Sequence, residues 1–552
     1  MDNLLRAHFS LPAAAGAIVR AKLFISGLGY YKAWINGAKT DEHELGSFTT
    51  FEERVLYDAW DVTHLVEGDG ASNTIGVQLG NGWYAQTSVH VGPRQLLCQL
   101  RVTAADGNTY TFVSAPGSSS GSGGSPTVGR LASPASSTPL PFESAPGPVT
   151  YDDIYIGESY DARLLPDGWA GGHGTLPTAG FQPAIVSDGQ VGVLAARQVQ
   201  IYRDNDYSPV FIHEPLDGVF VADMGQNMAG LCTVRLHGSA GTIVSMQHAE
   251  ILNTDGTIHD VYKNAPMWAN YTMRGDGSWE TYTPHFTYFG FRYVQITGVP
   301  VPPQPEDIVC HFIHSDTTRG SASAFDSSND MLNAIQAATR FASLSNQMDV
   351  FSDCPQRERR QWLGDMQLSC ETVLHNFDVG AQYWKGIMDI ADGQRLYNAS
   401  GAIADCVPWY RHGRLPADPS WSVAFPLITR WVASWFGDEE LIATHYNGIK
   451  LFVDFEVQQA KEYASSKGNG IDLPATYGDW CPPNHSCQNT YPDLTTLNLI
   501  QGIDVVAEFA ATLGKSADAS SYAAMAAQLR KEYATTYAIQ DSKAANGIQL
   551  YG

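Results

Sequence analysis

The apolar pattern of this chain changes period once, and that change limits the folds open to it. Up to about residue 300 the apolar residues come in short runs broken by Gly, Asn and Pro, whereas from Phe325 they recur at helical spacing. In the first part, Ile18 to Trp34 is rich in Val, Ile, Phe and Tyr, and Asn36-Gly37 is a tight-hairpin signal. Thr74 to Tyr84 forms a further strand, and strands at this spacing without long helical patterns predict β-sandwiches. A second β segment runs from about Gln198 to Pro300 and ends in the aromatic run Phe286 to Tyr293, which reads as interdomain core. Met331, Ile335, Ala338, Phe341 and Leu344 open the helical part. Amphipathic stretches follow around Trp384 to Leu396, Phe425 to Phe436, Leu441 to Ala460, Thr495 to Leu513 and Ala523 to Tyr533. Between the first strands and the second β segment, Ala115 to Val149 is dense in Ser, Gly and Pro and predicts a flexible insertion.

A chain of 552 residues is too long for one ordinary domain, and 44% hydrophobic content supports filled cores. Its net charge of −24 argues against nucleic-acid partners and anionic membranes, and neither a membrane span nor a signal peptide is evident. That leaves the compartment open: cytoplasmic, or secreted with a missing N-terminal segment. Eight cysteines show no paired metal-binding spacing. Cys481 and Cys487 bracket a short loop and suit either a disulfide or two free thiols. His248 and Glu250 alternate along a strand, and hydrogen-bonded residues are a better reading of them than a metal pair. No metal and no cofactor is expected.

The densest chemistry lies in Phe351 to Asp365, which holds three carboxylates (Asp353, Glu358, Asp365), three arginines and Trp362 within fifteen residues. Carboxyl groups close together cannot all ionise freely, so one can keep its proton for acid catalysis. Arginine forks and carboxylates hold vicinal hydroxyls, and an indole packs on a sugar's C–H face. The same residue types also build a salt-bridged surface turn at a helix start.

Asp353-Cys354-Pro355-Gln356-Arg357-Glu358-Arg359-Arg360-Gln361-Trp362-Leu363-Gly364-Asp365 resembles the signature of the bacterial-type α-L-rhamnosidases, glycoside hydrolase family 78. That signature has an acidic pair after the first arginine, and here only Glu358 stands there. Counting back from Trp362 and Gly364-Asp365 puts Glu358 at the general-acid position, with Glu358 and Trp362 expected on one helical face at i, i+4. Further resemblances are Gly27-Leu28-Gly29-Tyr30-Tyr31, Gly80-Asn81-Gly82-Trp83-Tyr84, Gly157-Glu158-Ser159-Tyr160-Asp161 and Tyr288-Phe289-Gly290-Phe291.

The resemblance implies a multidomain protein in which N-terminal β-sandwich domains precede an incomplete (α/α)6 barrel. The expected divisions are 1–185 (N-terminal sandwich, with the insertion at 115–149), 186–305 (second sandwich) and 306–552 (partial barrel). It implies Glu358 as general acid, with Asp353, Arg357 and Asp365 on rhamnose hydroxyls. Trp362 and Trp421 would line the apolar side of the ring, and Asp479 and Trp480 come from a second pocket loop. After Trp421 the family usually carries an acidic residue, and here Ser422 and Val423 stand instead. The implied partner is a rhamnosylated glycoside or polysaccharide, cleaved with inversion; the aglycone and oligomeric state are left open. Inversion needs a second carboxylate roughly 6.5–9.5 Å from the acid, and none is evident in the sequence. The helical part holds about 230 residues, whereas twelve helices with loops need over ~250. The expectation is therefore a C-terminally truncated chain of uncertain activity. The alternatives are a non-catalytic glycan-binding protein and an (α/α)6 glycosidase with another sugar preference.

Overall fold

A computed structural model of the protein describes residues 2–86, 89–115, 127–129, 137–171, 180–187, 192–259, 265–318, 323–397, 399–467, 472–481 and 492–537. These form two compact units, Met1–Arg360 and Gln361–Gly552. The first is built mainly from three β-sheets and the second from helices.

In the first unit a six-stranded sheet centres on Asp2–Ser10, which pairs with Glu143–Pro146 on one side and Ser72–Gly80 on the other. Its period-2 alternation sends Leu5, Ala7 and Phe9 into one buried cluster and Leu4 into another with Trp169 and Phe181. The first cluster also takes Leu23 and Ile25 of Ile18–Leu28 and Leu96, Leu100 and Val102 of Gln95–Ala104. Those strands belong to the second sheet, so the cluster is the filling of a sandwich. The Asn36-Gly37 hairpin forms as expected: Ile35 pairs with Ala38, and both turn residues have positive φ (52° and 84°), the mark of a type I′ turn.

The third sheet has ten strands, and it crosses both expected domain divisions. Val149–Asp153 and Gly157–Asp161 join it through parallel pairing of Gly157–Asp161 with Trp268–Thr272, although they precede residue 185. Ile308–Ser315, beyond residue 305, is an inner strand beside Val219–Leu236. Cys232 and Cys310 are register partners there and form a disulfide, a pairing not anticipated from spacing. Cys481 is also disulfide-bonded; Cys487 lies outside the described residues. The insertion expected at 115–149 needs a correction too. Thr138–Pro141 and Glu143–Pro146 are sheet strands, and Leu140 and Phe142 between Pro and Ser residues are fully buried. Two apolar side chains were enough to bring that part of a Ser/Pro-rich stretch into the core.

Eight α-helices lie among the described residues. In the first unit α1 (Asp330–Ser345) is capped by the Asn329 side chain. The second unit has α2 (Leu363–Asn376), α3 (Gly380–Tyr397), α4 (Pro419–Ser422), α5 (Ala424–Phe436), α6 (Glu439–Lys467), α7 (Pro492–Thr512) and α8 (Ser516–Tyr537). α5 stops at Gly437, whose φ of 66° only glycine adopts freely, and its N–H caps Ala433. Asp438 then caps α6 by accepting from Leu441 N and ties in α3 through Trp384 Nε1 at 2.6 Å. α2 and α3 pack on α5, and α7 lies along α6 and α8.

Candidate active site

In the first unit, the segment Asp353–Arg360 is a closed turn. Asp353 N donates to Arg360 O (2.9 Å) and Arg360 N donates back to Asp353 Oδ1 (3.1 Å). Cys354 fills the turn: its thiol donates to Asp353 Oδ2 (3.0 Å), and Glu358 N donates to its sulfur (3.3 Å). Burial pushes this thiol up to about 11, so it packs as a neutral group. Arg359 closes the turn in the left-handed region (φ 55°). Its guanidinium bonds the carbonyls of Pro355 and Ile154 and lies over the Tyr288 ring. Arg360 donates to Tyr155 Oη (2.6 Å) and stacks on Trp83. Both arginines are essentially fully buried. They anchor the turn, and of the three signature arginines only Arg357 is exposed. Gly290 is glycine because a Cβ there would meet Pro355 and Gln356 at 2.9–3.0 Å.

Glu358 is partly exposed and pairs with Arg357 Nη2 at 3.1 Å. The carboxyl of Asp353 is raised above its usual value, first by burial and then by the neighbouring Glu358, with hydrogen bonds opposing. Residues 355–358 are turn, and helix begins only at Leu363. Glu358 and Trp362 therefore do not share a helical face, which corrects the i, i+4 expectation; the left-handed Arg359 between them rules out one continuous helix. His248 is not a ligand either. Its Nδ1 donates to Met267 O, its ring stacks on Phe289 at 4.0 Å, and burial pushes it down to about 3. Glu250 instead accepts from Asn227 and Gln356.

In the second unit, Trp362 is the residue before α2 and bridges Cys406. Two buried aspartates organise what surrounds it. Asp405 accepts from Asp418 N (2.9 Å), Arg414 N (2.8 Å) and Tyr477 Oη (3.0 Å). Burial raises its carboxyl, and these donors pull the other way. Asp418 caps α4 through Ser420 N and accepts from Thr476 N and Tyr477 N. The result is an aromatic cluster around Tyr477, whose ring centroid lies 6.2 Å from Trp362, 4.9 Å from Trp421 and 5.7 Å from Trp480. The three tryptophans expected at a pocket are thus gathered by one tyrosine. Trp421 Nε1 is buried without a hydrogen-bond partner, and Gly364 leaves it room. Trp480 is half-exposed, while Asp479 and Asp365 are exposed, Asp365 in the first turn of α2.

Asp405, Asp418 and Tyr477 escaped the sequence reading as site residues. Asp418-Pro419 is a helix-start signal that could have flagged Asp418; nothing local marks Asp405. Beside Trp421, where an acidic residue was looked for, Ser422 contacts a carboxyl brought by α6, Glu456 Oε1 at 3.5 Å. Burial pushes Glu456 up to about 8. Among the described residues no group of three or more His, Cys, Asp or Glu is placed to hold a metal ion, and no helix is long and apolar enough to cross a membrane.

Three family models match the chain in order: the alpha-L-rhamnosidase N-terminal domain over residues 16–123, the bacterial alpha-L-rhamnosidase concanavalin-like domain over 214–314, and the bacterial alpha-L-rhamnosidase 6 hairpin glycosidase domain over 320–550. The chain belongs to the bacterial α-L-rhamnosidase family. An alpha-L-rhamnosidase of Streptomyces avermitilis is 30% identical over 99% of this chain and 50% of its own length. One from Formosa agariphila is 25% identical over 84% of this chain and 47% of its own. The solved alpha-L-rhamnosidase of Dictyoglumus thermophilum superposes with a TM-score of 0.84 at 30% identity, covering 98% of this chain and 57% of that one. The Streptomyces avermitilis enzyme, solved in complex with L-rhamnose, gives 0.84 at 28% identity, covering 98% and 49%. This rhamnosidase-family chain spans about half the length of the curated relatives it matches. This chain has β-rich domains followed by a helical domain of the six-hairpin glycosidase type, and that arrangement matches solved rhamnosidases.

Proposed function

We propose that the protein of this chain hydrolyses terminal α-L-rhamnosides by acid–base catalysis with inversion, and that Glu358 is the general acid. The observation that carries this reading is the closed turn. It holds Glu358 partly exposed beside a second carboxyl, Asp353, whose own proton affinity is raised. An acid in that company is poised to give its proton to a departing glycosidic oxygen. Asp353, Arg357 and Asp365 take rhamnose hydroxyls, using charge-assisted hydrogen bonds. Trp362, Trp421 and Trp480 pack on the C–H faces and methyl group of the sugar, and Asp479 contributes a hydroxyl contact. Two observations support the tryptophan roles: their common packing on Tyr477, and the unpartnered buried Nε1 of Trp421. The relatives named alpha-L-rhamnosidase support the sugar, and one of them was solved with L-rhamnose bound.

The test is turnover of an unactivated alkyl α-L-rhamnoside by the 552-residue chain and its Glu358→Gln variant, with the anomer of the product read by NMR. Glu358→Gln is expected to lower turnover of an unactivated glycoside about 10²–10⁴-fold. Turnover unchanged in the variant overturns the acid assignment, and a retained anomeric configuration overturns inversion. Absence of both turnover and L-rhamnose binding in the wild-type chain would sink the reading for this chain.

A further inference from the structure

A cleft of about 320 Å³ opens in the first unit on the outer face of the second sheet, and none of its lining residues belongs to the candidate active site. The sandwich core takes Leu23 and Ile25 of Ile18–Leu28 and Leu100 and Val102 of Gln95–Ala104. Period-2 alternation therefore sends Lys22, Phe24, Gln99 and Arg101 to the opposite face. Register makes pairs of them: Lys22 stands opposite Arg101, and Phe24 opposite Gln99. On the other flank of Ile18–Leu28, Asp61 stands opposite Lys22. Phe24 and Tyr57 meet edge to face, with centroids 6.1 Å apart, and form the half-buried apolar side of the cleft.

The charges on this face are not balanced by the fold. Like charges directly opposite on neighbouring strands repel, yet Lys22 and Arg101 are so placed, with exposed Arg20 on the same face two residues before Lys22. Such a cluster of cations stands out on a chain of net charge −24. Asp61, the carboxylate facing Lys22, is engaged elsewhere. It accepts from Thr63 Oγ1 (2.6 Å) and Thr63 N (3.1 Å), and these bonds hold it below the usual carboxylate range, with Arg20 and Lys22 adding to them. Arg101 is exposed, lines the cleft, and has no ion-pair partner among the described residues. The Gln99 amide and the Tyr57 hydroxyl, which also line it, have no hydrogen-bond partner among those residues. A free guanidinium fork beside an ammonium suits a carboxylate. A free amide and a free hydroxyl next to it suit hydroxyl groups. A cleft of this size, at the lower end of small-ligand sites, accepts one molecule that carries both functions.

We propose that this cleft is a second binding site, for a sugar acid, in which Arg101 assisted by Lys22 holds the carboxylate of a hexuronate while Gln99 and Tyr57 take its hydroxyls. Recognition is by charge and hydrogen bonds and uses no ring stacking. The choice of a sugar acid over a bare anion rests on the glycosidase reading above; the preference for negative charge does not. The same contacts serve a free uronate and a uronate within a polysaccharide.

The experiment is a ligand-observed NMR titration of the 552-residue chain with D-galacturonate, an oligogalacturonate, D-galactose and inorganic phosphate. Galacturonate is expected to bind saturably, and about 10-fold or more tighter than galactose, which has a CH2OH group in place of the carboxylate. Excess L-rhamnose is expected to leave galacturonate bound, which separates this site from the candidate active site whether or not the chain turns over a rhamnoside. Tighter binding of the oligomer names a polysaccharide as the source, and equal binding names the single sugar. Arg101→Gln, at an exposed position, is expected to weaken galacturonate binding about 10-fold or more. Lys22→Gln is expected to weaken it about 2–5-fold, and carries the test if Arg101→Gln fails to fold. The proposal is overturned by no saturable binding of galacturonate or its oligomer, by galactose or phosphate binding as tightly, by displacement with L-rhamnose, or by binding that survives both substitutions undiminished.

Discussion

Glu456 is a carboxyl whose charge the fold dictates. A glutamate ordinarily titrates near 4.5, and burial on α6 pushes this one up to about 8. Its folded pKa is raised, so its stabilising contribution is fully present below pH 4.5 and is lost as pH rises through about 8. Glu456→Gln, which stays neutral, is expected to melt progressively higher than wild type as pH rises across that window. Melting curves at a series of pH values check this, and a pH-independent difference would overturn the assignment. The site residues were legible to different degrees. Asp353, Glu358 and Trp362 stand out because rare residue types crowd together, but crowding does not reveal which arginines are buried. Arg359 and Arg360 look like pocket ligands in sequence and are anchors in the fold, because their partners, Ile154, Tyr155 and Trp83, lie about 200 residues or more away. Asp405 and Tyr477 were unreadable for the same reason, as their hydrogen bond spans 72 positions.

α1 shows what periodicity can and cannot tell. The spacing of Met331, Ile335, Ala338, Phe341 and Leu344 announced a helix, and the helix is there. It did not say which turns are covered. Phe341 stacks on Phe312 at 4.4 Å and Leu344 is buried, whereas Met331, Leu332 and Ile335 are about half-exposed or more. Ile335→Gln should therefore change stability by less than about 0.5 kcal/mol. Phe341→Ala, at the packed end, should cost about 2 kcal/mol or more. Denaturant unfolding of the two variants separates them, and equal losses would contradict the packing described. The Cys232–Cys310 link is a feature of paired strands that spacing could not show, since it joins residues 78 apart. Replacing both cysteines by alanine should lower stability by about 2–4 kcal/mol, and reduction of the wild type should lower its melting temperature in the same direction.

At the scale of the whole molecule, the change from β to helical pattern was readable because period-2 and period-3.6 burial leave different marks on a sequence. The domain divisions were harder, because strand pairing ignores composition. A shortened chain beginning at residue 186 lacks Val149–Asp153 and Gly157–Asp161, which leaves Trp268–Thr272 as an unpaired edge. It should aggregate or melt well below a chain that keeps those strands; light scattering and melting curves would tell, and equal behaviour would contradict the interleaving. Glu158 shows how tight that interleaving is: it is fully buried, and its carboxyl group accepts from His285 N, Phe286 N and Tyr282 Oη. The stretch that looks like the tail of one module is a structural part of the next. The N-terminal sandwich is therefore not a cassette. Recombination that exchanges it cleanly in a related gene has to carry the two borrowed strands along, or leave their recipient with a bare, sticky flank.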